Sequence, residues 1–217
     1  MSFEKSGMHL DAQVEVSSLK AVEAIDNPDG ARLTYAPKPK GWKQGKVHVK
    51  CRVAVVNKET GKEEEVWIDN YHGGTVQLSN LIAANILGAA QTSVCKDTAG
   101  TATRTVAANS ATSAWQIVAG TAGTTAAVTD YQLNTQYTTV AGCGAQTPTV
   151  NAVNTSTDVF TVTANMQGPP ATVVYKEVGI YVTAATYVFC IARDYNSGGW
   201  SVDVLHYLAV TYTITIS

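Results

Sequence analysis

The sequence predicts a mainly β protein: an antiparallel β-sandwich of jelly-roll-like type, with one short helix and a charged N-terminal β-hairpin region. Three observations carry this. Apolar and polar residues alternate at period two in several short segments, the signature of a strand with one buried face. Thr, whose branched side chain suits a pleated surface, fills 25 of the 127 positions from 91 to 217. Only one stretch carries helical spacing.

Residues 1–30 have weak pattern, with Val14, Val16, Leu19, Val22 and Ile25 compatible with a strand running into a short helix; the turn Asn27-Pro28-Asp29-Gly30 closes them. The loop 36–41 reads as extended and solvated, because Pro disfavours helix in the residue before it. Over 46–56, Val47, Val49, Cys51, Val53 and Val55 share one face of a predicted strand, with His48, Lys50 and Arg52 on the other. Asn57 to Gly61 turns the chain, and 63–71 returns as a second strand carrying Val66, Trp67 and Ile68. The two form a hairpin whose polar faces set Lys50 and Arg52 against Glu63, Glu64 and Glu65.

The helical stretch is 75–90, where Leu78, Leu81, Ile82 and Ile86 recur at helical spacing, Thr75 or Ser79 can cap the start, and Gly88 ends it. Residues 90–148 are low in complexity, with a short strand at 115–119 and a Gly/Thr turn at 120–125. Strands then follow at 158–164, 173–182, 187–192 and 207–216, the spacing of a sandwich or barrel.

Charge divides the chain into 1–75, an arm with the hairpin, and 76–217, the Thr-rich sandwich. Residues 1–70 hold 11 Lys/Arg and 11 Asp/Glu, whereas residues 71–217 hold 4 and 6. A surface so poor in charge suits either a subunit packed against its own copies or a sandwich kept soluble by hydroxyls. The net charge of −2 gives no drive toward nucleic acid or an anionic membrane. No apolar run approaches a membrane span, and residues 1–10 do not read as a secretory signal.

Motifs for chemistry are absent or broken. Cys51, Cys95, Cys143 and Cys190 form no CxxC pair; Cys51 and Cys190 fall in apolar strands and read as buried thiols, while Cys95 and Cys143 fall in loops, where a disulfide is a candidate. His9, His48, His72 and His206 are isolated, and Asp203 is placed to orient His206. Gly41 to Lys46 lacks the spacing, the Ser or Thr and the following helix of a phosphate loop. His72-Gly73-Gly74 has no accompanying nucleophile elbow. The acid-free stretch 31–58 reads as a basic hairpin balanced by Glu63 to Glu65, or as a surface for an acidic partner. Asn154-Thr155-Ser156 matches a glycosylation sequon at chance frequency. Glu177 and Arg193 lie on successive predicted strands and are placed for a structural ion pair. No catalytic, cofactor or metal residues are identified, and no enzyme activity or cofactor is expected.

Five segments together resemble a known group: Asn80-Leu81-Ile82 to Leu87; Gly120 to Leu133; Tyr175-Lys176-Glu177-Val178-Gly179-Ile180-Tyr181; Phe189 to Asp194; and Leu208 to Thr215. Their order is similar to that in the C-terminal part of virion structural proteins of tailed bacteriophages and archaeal viruses. There an NLIxxxL-like helix and a GTGTTAPAVTDYAL-like segment precede EVGLY, LLARD and LTVTYTIT strands. The resemblance spans roughly 76–217. It implies a non-enzymatic tail, baseplate, fibre-base or capsid-surface decoration protein, present in the virion in many copies and assembled in the host cytoplasm. Implied partners are copies of itself and other virion proteins, with a host-surface glycan as a further candidate; nucleic acid and membrane are not expected. The alternatives are an extracellular filament or pilus-like subunit and a carbohydrate-binding sandwich, for which Trp200 is the candidate exposed aromatic, a core anchor being its equal alternative. Residues 1–30 are expected to act as an assembly arm.

Overall fold

The structure is a computed structural model that describes residues 32–35, 47–72, 74–87, 95–101, 104, 112–127, 129–154, 159–184 and 186–216. The arm 1–30, the whole Pro/Lys loop 36–41, Gly88 and sequon residues 155 and 156 lie outside these.

Two sheets pack face to face. The first has six strands in the order β1 (Arg32–Tyr35), β3 (Glu63–His72), β2 (Val47–Asn57), β11 (His206–Ile216), β8 (Val159–Gln167) and β7 (Thr149–Asn154). The second runs β10 (Tyr187–Val202), β9 (Val173–Ala184), β4 (Thr112–Ala122) and β5 (Thr135–Gln136), and β6 (Ala145–Gln146) also pairs with β4. β1 is parallel to β3, whereas the remaining pairs are antiparallel. The helix α1 (Val76–Leu87) packs against β10.

The period-two pattern explains the core. Val49, Cys51, Val53 and Val55 of β2, Leu208, Val210, Tyr212 and Ile214 of β11, and Val162, Ala164 and Met166 of β8 all point inward. They meet Ile117, Val178, Ile180, Val182, Phe189 and Ile191 of the second sheet. Each Val, Leu, Ile, Phe or Met among them contributes about 1.5–3 kcal/mol on removal from water.

The charge boundary near residue 75 does not separate two folding units. β2 pairs with β11 from Val47↔Ile216 to Asn57↔His206, and Trp67 of β3 sits in the same core as Trp200 of β10. The charged hairpin is therefore part of the sandwich. Its outer face carries the expected opposite-sign pair, Arg52 Nη2 to Glu63 Oε2 at 2.6 Å.

Two connections cross between the sheets at one end, β8 to β9 and β10 to β11. They touch at Gly168, whose N–H donates to the His206 carbonyl at 3.0 Å. A Cβ there would lie 1.7 Å from the Asp203 carbonyl oxygen, so only glycine fits.

Thr75 opens the helix differently from the cap expected. Its N–H donates to the Ile191 carbonyl at 2.9 Å and its hydroxyl to the Cys190 carbonyl at 2.6 Å. The side chain therefore pins the helix to the edge of β10, while the Leu78 N–H donates to the Thr75 carbonyl at 3.1 Å. Leu78 and Leu81 are buried, as their spacing predicts.

The strand predicted at 187–192 continues to Val202 as β10. Its pairing with β9 breaks between Tyr195 and Trp200, where Asn196 to Gly199 bulge out and Gly199 takes φ 71°. The strand resumes beyond that bulge, with Trp200 paired to Tyr175.

Candidate functional site

The outer face of the second sheet is covered by the segment 123–137, which is held there by a buried charge cluster. Glu177 of β9 and Arg193 of β10 form its centre. Arg193 Nε and Nη2 approach Glu177 Oε2 at 2.9 and 2.8 Å, with side chains 1% and 0% exposed. Arg193 Nη1 reaches Asp130 Oδ2 at 2.6 Å, and Nη2 donates to the Thr124 carbonyl at 3.0 Å. The other carboxylate contacts come from the covering segment: Asn134 N–H to Glu177 Oε2 at 3.0 Å and Thr135 N–H to Oε1 at 2.7 Å. Asp130 Oδ2 also accepts the Ala127 N–H at 2.8 Å, and its carbonyl accepts from Gln77 Nε2 of α1 at 3.3 Å. The Leu133 N–H donates to Tyr181 Oη at 2.8 Å.

One planar guanidinium thus joins two strands, a loop and, through Asp130, the helix. Burial disfavours the charge on Arg193, but its hydrogen bonds to Asp130 and Glu177 outweigh that and raise its pKa. Burial is also the main cause raising the Tyr181 phenol above its ordinary range.

Two glycines make the geometry accessible. A Cβ on Gly120 would lie 2.5 Å from both Glu177 Oε1 and the Thr135 carbonyl oxygen. A Cβ on Gly179 would lie 2.8 Å from the Ala192 carbonyl oxygen and from Leu133 Cδ1. Neither glycine is needed for a turn; both are needed for close approach.

A second polar group lies inside the sandwich. Asp69, Cys51 and Tyr212 stand side by side across β3, β2 and β11, with Asp194 of β10 near them. Burial, and then the charge of Asp194, raises both the Cys51 thiol and the Tyr212 phenol. A third group sits at the crossing end. His206 Nδ1 is 2.6 Å from Asp203 Oδ1, and Nε2 is 3.1 Å from Glu64 Oε2. The Asp203 hydrogen bond is the main cause raising the His206 pKa, and the same bond lowers that of Asp203. Lys58 Nζ donates nearby to the Val204 carbonyl at 2.7 Å.

The expected Glu177–Arg193 pair is present. Two other expectations are corrected. Trp200 is fully buried, with its ring 5.4 Å from that of Trp67 in an edge-to-face contact, so it is a core anchor and not a surface-binding aromatic. Cys95 and Cys143 are not joined; all four cysteines are buried free thiols. Cys95 packs in the core beside the loop whose Thr98 N–H bonds to the Val188 carbonyl. Cys143 sits in a separate turn whose carbonyl takes the Tyr175 hydroxyl at 2.7 Å.

Asp130 escaped the sequence reading as a site residue. Its signal was available: it is the only charged residue between 105 and 157, and a lone charge in an apolar segment needs a buried partner. Among the described residues, no group of three or more His, Cys, Asp or Glu side chains is placed to hold a metal ion. No family model matches the sequence, and neither a curated protein nor a solved structure matches it.

Proposed function

We propose that the chain is a non-enzymatic structural subunit of a tailed-virus particle, present in many symmetric copies at the tail, baseplate or capsid surface. The observation that supports this is where the fold places the segments that resemble those of virion proteins. The Gly120–Leu133 segment, the Glu177 strand and the Arg193-Asp194 strand supply Asp130, Glu177 and Arg193, which meet in one charge cluster. These residues of the pattern make fold-building contacts, which supports a structural reading. Arg193 and Glu177 are fully engaged with protein partners and closed to solvent, as a structural clasp requires and a catalytic pair does not. The charge-poor sequence after residue 70 suits repeated contact between copies.

The test is the mass of the purified protein by light scattering across a concentration series, with electron micrographs of the same fractions. Rings, closed oligomers, shells or filaments are expected. A monomer at every concentration, with no binding to purified virus particles that lack the protein, overturns the reading.

A further inference from the structure

Sheet edges are where copies of a β protein join, because an edge strand presents unpaired backbone groups. In the second sheet both edges are protected. The long edge strand β10 is capped over its first half by the N–H and hydroxyl of Thr75 and by the Thr98 N–H. Its second half is interrupted by the bulge, which Asn196 closes through its own side chain to Gly198 and Gly199. The opposite edge, β5, is two residues long.

The β7 edge of the first sheet differs. Among the described residues, the hydrogen bonds of β7 run to β8 alone: the ladder, Asn151 Nδ2 to Thr161 Oγ1 and Thr163 Oγ1 to the Thr149 carbonyl. No charged residue occurs from 131 to 157, so this edge has none of the lysines that commonly guard edges. Val150 is 43% exposed although its neighbour across the ladder, Val162, is fully buried. The regular part of the edge is Thr149–Asn151, because the pairing becomes irregular between Asn151 and Asn154.

We propose that β7 pairs with β7 of a second copy, antiparallel about a twofold axis centred on Val150. This rests on the many-copy reading and names the surface through which two copies meet. An antiparallel strand is complementary to itself about such an axis. In this register Val150 faces the partner's Val150, while Thr149 faces the partner's Asn151. The outer rows Thr211–Thr163–Thr149 and Thr213–Thr161–Asn151 then continue uncharged into the second copy. Like-charge repulsion is absent because neither edge carries a charge. The contact is small and therefore dissociates on dilution, unless further contacts in a particle support it.

Three single variants of the full chain test this, each first checked for an unchanged circular dichroism spectrum and melting temperature. Val150→Lys puts like charges on the axis. Val150→Cys places two thiols directly opposite, within disulfide reach. Thr149→Cys places its thiol opposite Asn151 instead. The four native thiols are buried, so the introduced cysteine is the reactive one. The expected results are a wild-type mass rising with concentration toward twice 22.9 kDa, at least a tenfold weaker association for Val150→Lys, and oxidised dimers from Val150→Cys but not from Thr149→Cys. Wild-type association with an unaffected Val150→Lys, or without Val150→Cys crosslinks, overturns the β7 contact and leaves the many-copy reading standing. A wild-type chain monomeric up to its solubility limit, with no Val150→Cys crosslinks, overturns the contact as well.

Discussion

Arg193 of β10 stands opposite Gly179 of β9, and reaches diagonally to Glu177, two residues along, at 2.8 Å. Glycine in the directly opposite position leaves the space over which Leu133 packs. The ion pair and the covering segment are therefore one unit: the charge is satisfied only when the segment 123–137 is in place, and the segment is held only when the charge pair is intact.

Removal of the cation tests that unit. Arg193→Met leaves Glu177 and Asp130 without their guanidinium while Glu177 stays fully buried. The expected loss is about 3–5 kcal/mol, the usual cost of breaking one side of a buried pair. Urea denaturation measures it, and a loss below about 1 kcal/mol would show that the pair does not stabilise the fold.

Gly120→Ala tests the approach geometry. The new methyl would meet Glu177 Oε1 and the Thr135 carbonyl at 2.5 Å, and the backbone carbonyl has little freedom to withdraw. The expected cost is about 1–3 kcal/mol. Hydrogen exchange supplies the specific readout: the amides of Asn134 and Thr135, which donate to Glu177, should lose protection before those of β2 and β11. Uniform loss across the sandwich would contradict a local role.

His206 makes stability pH-dependent at the crossing end. Its pKa is raised in the folded chain from 6.5. Its contribution is therefore complete below about pH 6.5 and is lost as pH rises through the higher folded value. Asp203 has a lowered pKa, so its share is present above its ordinary value of 3.8 and is lost as pH falls through the lower folded one. Compared with wild type, His206→Gln should be least stable near about pH 5.5, and the gap should narrow by about pH 8.5. Melting temperatures at the two pH values check this, and a gap that widens with pH would reverse the assignment.

Trp200→Ala removes a fully buried ring and its contact with Trp67. A loss of about 3–5 kcal/mol in denaturant unfolding is expected. A glycan-binding surface residue would instead cost little stability when truncated and would abolish binding in a glycan array, so the two roles separate cleanly.

Much of the fold was legible because strand periodicity is a local property. The residues of β11 alternate throughout and those of β2 as far as Val53, and both segments fold as read. Less was legible where function depends on distant partners. Thr75 reads as a helix cap, yet its hydroxyl serves Cys190 on β10, a bond over 115 positions that spacing cannot reveal. Trp200 follows a Ser-Gly-Gly run that marks a turn, and only the return of β10 to its ladder carries the ring into the core. Cys95 and Cys143 share loop-like surroundings in sequence but are anchored to different elements.

The sequence by itself determined the strand content, the single helix, the contrast between charged and uncharged halves and the pairing of Glu177 with Arg193. These follow from alternation along one strand and from opposite charges on successive strands, which need no knowledge of remote neighbours. Only the tertiary structure decided that the charged hairpin joins the sandwich through β11, that Asp130 completes the clasp, and that Cys95, Cys143 and Trp200 are closed to solvent. Each of these depends on which sheet lies across from which. That choice is made by burying apolar faces from both halves of the chain together, a property no local spacing contains.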